Sequence, residues 1–142
     1  MLGGMTRPIT LIGLSVKRLQ ARHHRNGDAA LAPLGLTVVQ WDALRHIAEN
    51  PGASLIDLAQ LTFQSGQAFG TLTTRMVARG LIERVAGPGR SVRHQLTPKG
   101  EELRKSGQQV LTGMLTASFA PLSPDELATF DGLLQRLLAD GR

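Results

Sequence analysis

The chain has 142 residues, the size of one domain with a real core and short for two independent ones. It has 42% hydrophobic and 19% charged residues and no cysteine; that composition is ordinary for a globular protein and excludes disulfides, cysteine zinc sites and thiol redox sensing. The net charge of +5 is a mild excess, so the placement of the cations carries more information than their number.

Met1 to Thr10 lack the charged start, apolar run and small-residue cleavage site of a secretory signal. No apolar stretch approaches the roughly 18 residues of a membrane span, and a cytoplasmic protein is expected. Ile9, Ile12, Val16 and Leu19 recur at helical spacing and predict a first helix from Ile9 to about His24, which Asn26-Gly27-Asp28 and Pro33-Leu34-Gly35 then break. Thr37 with Gln40 makes a capping box ahead of Val38, Trp41, Leu44 and Ile47, and Asn50-Pro51-Gly52 closes that second helix. Ser54 caps a short third helix, with Asp57 in its first turn. After a break at Thr62-Phe63-Gln64, a fourth helix runs from about Ser65 to Arg79 and is ended by Gly80. Leu81 to Val85 and Ser91 to Leu96 read as two strands about a Gly87-Pro88-Gly89-Arg90 turn. Thr97-Pro98 opens a fifth helix, and Ser123-Pro124-Asp125-Glu126 caps a sixth with Leu127, Phe130, Leu134 and Leu137 on one stripe. Short helix, turn, longer helix and basic hairpin make a winged helix-turn-helix, mainly α with one hairpin wing.

Between Thr71 and Gly100 the cations are Arg75, Arg79, Arg84, Arg90, Arg93 and Lys99, while Glu83 is the one anion. Such clustering marks a polyanion-binding face; the alternative is a solvated basic surface. In this architecture the second helix of the pair lies in the major groove, where every base pair shows a distinct edge. Phe69, Leu72 and Met76 point inward at helical spacing, leaving Ser65, Gln67, Thr71, Thr74 and Arg75 outward. Gln reads adenine, Arg reads guanine, and Ser or Thr hold phosphates. Arg84, Arg90 and Arg93 extend the basic surface along the wing toward the minor groove.

Leu36-Thr37-Val38-Val39-Gln40-Trp41-Asp42-Ala43-Leu44, Leu58-Ala59, Arg79-Gly80-Leu81-Ile82-Glu83-Arg84 and Leu96-Thr97-Pro98-Lys99-Gly100 resemble, in order and separation, the landmarks of the MarR family. The resemblance covers nearly the whole chain. It implies a homodimer built from the first and last two helices, so that residues 1–35 and 97–142 form a helical dimerisation region around a DNA-binding region at 36–96. It implies a repressor on double-stranded DNA, relieved by a small aromatic or phenolic effector in a cleft between the two regions; Trp41, His23 and Arg45 fall near that junction. The alternative for Trp41 is a plain core residue. The sequence departs from the family where its wing carries Asp-x-Arg: here the positions are Pro88, Gly89 and Arg90, so the arginine is kept and its orienting carboxylate is not. Val77 stands where many members have glutamate.

The apolar stripes of the terminal helices support dimerisation independently, because isolated helices of such length are marginal without packing; the alternative is that the stripes fold back within one monomer. His23, His24, His46 and His94 form no His-Glu-x-x-His set, and neither a Gly-x-Ser-x-Gly elbow nor a phosphate loop is present. No enzyme, metal or cofactor is expected. A module binding protein or DNA without sequence preference is the alternative to an operator-specific regulator.

Overall fold

A computed structural model describes residues 6–139; the outermost residues of the expected signal-free start and of the helical region, 1–5 and 140–142, lie outside it. Helix α1 spans Ile9–Leu31, a full seven residues past the expected end at His24. The Asn26-Gly27-Asp28 signature therefore does not break the chain, and the reason is tertiary. Gly27 is buried, and a Cβ there would stand 2.6 Å from Val38 Cγ2. Asp28 meanwhile accepts a hydrogen bond from the Val38 amide at 2.8 Å, so a residue read as a turn former anchors the start of the next helix. A single 3-10 turn, Ala32–Leu34, follows, and Gly35 at φ 71° ends it.

The next elements lie where the caps place them. Helix α2 is Val38–Glu49 with the reciprocal Thr37/Gln40 capping box, α3 is Leu55–Leu61 with Ser54/Asp57, and α4 is Gly66–Ala78 with Ser65 as N-cap. Gly80, at φ 75°, reverses the chain into the hairpin without the Cβ clash that other residues meet there. Strands β1 (Ile82–Ala86) and β2 (Val92–Leu96) pair antiparallel, with Ile82 opposite Leu96 and Arg84 opposite His94. Helix α5 is Pro98–Phe119, capped by Thr97, and α6 is Pro124–Leu138, opened by the Ser123/Glu126 box.

Leu44, Ile47, Leu58, Phe69, Met76, Leu81 and Ile82 form the core where α2, α3, α4 and β1 meet. Leu31 at the end of α1 and Leu111 of α5 belong to the same cluster, so the terminal helices are seated on the winged unit by a shared core. Their far ends are different. Ile9 is 82% and Leu137 75% exposed, and α6 buries none of its residues. No helix among the described residues is long and apolar enough to cross a membrane.

Candidate nucleic-acid interface and adjoining cavity

Helix α4 is amphipathic as its spacing predicts. Phe69 and Met76 are fully buried, Leu72 is half-buried, and Ser65, Gln67, Thr71, Thr74 and Arg75 are exposed. The hydroxyls differ in what they offer. Ser65 accepts from the Ala68 amide at 3.0 Å, which leaves its own hydrogen free for an incoming phosphate. Thr71 donates to the Gln67 carbonyl (3.1 Å) and Thr74 to that of Gly70 (3.0 Å), so both hydroxyls have their hydrogens engaged and offer lone pairs as acceptors. Thr73, which outward-facing logic passes over, is 2% exposed and donates to Gly70 O at 2.9 Å.

Between α4 and the hairpin lies an open cleft of about 800 Å³, lined by Gln67, Thr71, Thr74 and Arg75 on one side and by Arg84, Val92 and His94 on the other. The cross-strand pairing of Arg84 with His94 brings the wing arginine to the helix face. His94 was not among the sequence-derived contacts. Burial, and then the neighbouring Arg84 charge, hold its imidazole below its ordinary pKa, so the neutral ring is favoured beside the guanidinium. Its buried Nδ1 has no hydrogen-bond partner among the described residues.

The basic cluster divides into two groups. Arg75, Arg84 and Arg90 are exposed. Arg79 donates to Gln40 Oε1 at 3.4 Å, Lys99 to the Arg79 carbonyl at 3.1 Å, and Arg93 Nε to the Gly52 carbonyl at 2.9 Å. Arg93 thus braces the wing against the α2–α3 turn and does not line the cleft. At the tip, the turn is closed by Gly87 N–H to Ser91 O (2.9 Å) and Ser91 N–H to Pro88 O (3.1 Å).

A second cavity of about 570 Å³ lies among α1, α2, α5 and α6. Its wall is largely apolar and includes Leu19, Trp41, Met114, Phe119, Phe130 and Leu134, with His23, His24, Gln20 and Ser15 as polar points. The His23 ring is fixed by a 2.7 Å hydrogen bond between Nε2 and Ser118 Oγ and by an edge contact with Phe119, centroids 5.3 Å apart. Trp41 belongs both to the cavity and to the packing: its Nε1–H donates to the Arg104 carbonyl at 3.0 Å and its ring lies against the core. Arg45, placed beside the pocket by sequence position, does not line it. It is held on α2 by Asp42 (3.0 Å) and Glu49 (3.1 Å), 5.9 Å from the Trp41 ring centroid. The reason is helical spacing: carboxylates three back and four ahead capture the guanidinium locally. Among the described residues no three His, Asp or Glu side chains gather as a metal site.

Comparison with known proteins places these features together. Residues 34–91 match the MarR family. The HTH-type transcriptional repressor Rv2887 of Mycobacterium tuberculosis is 30% identical over 131 residues, covering 91% of this chain and 94% of that protein. The crystal structure of Rv2887 in complex with p-aminosalicylic acid superposes with a TM-score of 0.76 at 30% identity, over 88% of this chain and 96% of that one. Its complex with DNA gives 0.77 at 26% identity, over 93% and 98%. A likeness that runs through both the terminal helices and the winged unit, at this identity and coverage, is one of descent: the chain belongs to the MarR family.

Proposed function

We propose that the chain is a sequence-specific transcriptional repressor that acts as a homodimer on a pseudo-palindromic operator and is released by a small aromatic acid. The observation that carries this reading is the single cleft shared by Gln67, Thr71, Thr74 and Arg75 of α4 and Arg84 of the wing. Its polar and cationic groups are exposed on a helix whose opposite face is locked in the core, the arrangement needed to read base edges while phosphates are gripped on either side. Ser65 and Arg90 are assigned to phosphate and wing contacts, and Arg93 to holding the wing. Residues 36–96 form the DNA-binding unit and 1–35 with 97–142 the dimerisation region, the exposed leucines of α6 and the isoleucines of α1 meeting their counterparts across a two-fold axis. The cavity at His23 and Trp41 takes the effector, as its apolar wall and fixed imidazole suit an aromatic ring bearing a carboxylate. Action on chromosomal DNA makes the protein cytoplasmic, and the reading gives it no catalytic role.

Relief of repression follows if the effector prefers a dimer whose recognition helices are wrongly spaced, since a ligand shifts an equilibrium only by its differential affinity. The test is selection of bound sequences from a random duplex library at near-physiological salt. An inverted repeat with half-sites about 34–36 Å apart is expected. Arg75→Ala should then cost roughly 1–3 kcal/mol on the selected duplex and relax one base position. Binding that is blind to sequence would favour a general DNA-binding module, and no binding would leave the winged unit to a protein partner.

A further inference from the structure

Phe63 sits in the turn between α3 and α4 with its side chain 98% exposed. It is also the only non-glycine residue with positive φ, 56°, among the described residues. Both features are unfavourable: a Cβ crowds the backbone in the left-handed region, and a bare phenyl ring in water gains nothing from burial. The chain nevertheless imposes them. The Phe63 amide donates to Gln60 O at 3.2 Å, the Gln64 amide to Ala59 O at 2.9 Å, and the Thr62 hydroxyl to Leu58 O at 2.8 Å. Glycine would make the same turn without either penalty, and the ring packs against almost nothing among the described residues.

Its position supplies a purpose for the ring. Phe63 lies two residues before Ser65, within about 7 Å along the chain of the start of α4, and so borders the surface that the preceding reading places in the major groove. The apolar feature of that groove is the C5-methyl of thymine. We propose that Phe63 is a DNA contact that packs on a thymine methyl at the edge of the half-site, adding an apolar reading position to the polar ones at Gln67 and Arg75. The proposal rests on the DNA-binding reading and extends it from α4 back into the turn.

Phe63→Gly and Phe63→Leu would be compared with the native chain by fluorescence anisotropy on the duplex that the native chain selects from the random library. The same duplex is then tested with each half-site thymidine replaced in turn by deoxyuridine, which lacks the methyl. Phe63→Gly is expected to keep or raise the thermal midpoint, because it relieves the turn and removes no packing. Its affinity should fall about tenfold or more, the loss of a buried ring, with Phe63→Leu intermediate. One thymidine-to-deoxyuridine change should cost the native chain about fourfold and Phe63→Gly nothing. Native affinity in Phe63→Gly, or an equal deoxyuridine effect in both proteins, overturns the contact while leaving the DNA-binding reading intact. Failure of the native chain to select any duplex overturns both.

Discussion

Arg93 and Gly52, forty-one positions apart in sequence, are joined by a 2.9 Å hydrogen bond from the Arg93 Nε–H to the Gly52 carbonyl. The bond ties the returning strand of the wing to the turn between α2 and α3. Arg93→Ala should therefore loosen the hairpin, seen as faster amide exchange across β1 and β2. The stability loss should be about 1 kcal/mol or less, since the pair is exposed. Operator affinity should fall with little change in its dependence on salt. A phosphate contact behaves differently: losing one would reduce the slope of log K against log salt by about 0.9, and that result would return Arg93 to the DNA-contact set.

Gly107 lets α5 lie directly against α2. A Cβ at this position would stand 2.5 Å from Trp41 Cδ1 and 3.2 Å from Leu31 Cδ2. Gly107→Ala is expected to destabilise the protein in urea titration, because overpacking costs about 1–3 kcal/mol against the roughly 1 kcal/mol that alanine gains over glycine in a helix. Gly113, six residues along the same helix, has no atom within 4 Å of such a Cβ. Gly113→Ala should show the propensity gain alone, so opposite signs are predicted for the same substitution on one helix.

His94 makes stability depend on pH. Its folded-state pKa is lowered by burial and then by Arg84, so below the ordinary imidazole value of about 6.5 the unfolded chain binds a proton that the folded chain resists. Stability is then fully present above that value and declines as pH falls toward the lower folded pKa. Thermal midpoints measured from pH 8 to pH 5 should fall more steeply for the native chain than for His94→Gln. Parallel curves would assign the acid sensitivity to another group.

Trp41 is the only tryptophan and it lines the apolar cavity, so its fluorescence is a direct probe of occupancy. Salicylate should change the emission in a saturable way and weaken binding to the selected duplex over the same concentration range. His23→Ala should shift both responses to higher salicylate together. A spectral change with no effect on DNA binding would separate the cavity from regulation.

The features legible in the sequence are those fixed by neighbours along the chain. Thr37, Ser54 and Ser123 cap helices because their partners lie three residues on, Ser65 and Thr97 cap by the same spacing at the helix starts expected there, and the wing follows from a turn between two short runs. The misread positions are those decided by distant residues. Gly27 has the local signature of a break, and only Val38 packing on it reveals a contact glycine within α1. Arg45 is the exception, held away from the cavity wall by Asp42 and Glu49 on its own helix at a spacing the sequence already carries. His94 enters the cleft through strand register, and Arg93 is engaged by one carbonyl on a remote turn. The outward face of α4 was readable because helical periodicity determines it; the partition of the basic cluster into free and engaged cations was not.

Helix α6 carries leucines along its length, and its own chain fully buries none of its residues and half-buries only Phe130 and Leu134 among them. Beyond the contact of Phe130 with Phe119, centroids 6.0 Å apart, the burial of its remaining apolar face in the proposed assembly comes from a second copy, which makes order in this part of the molecule a function of protein concentration. At low copy number a solitary chain would have its winged unit folded and its last helix poorly anchored. Two adjacent half-sites would raise the local concentration of chains bound to them. The operator would then act as a scaffold for assembling its own repressor, and the sharpness of repression would be set by dilution as much as by affinity for bases.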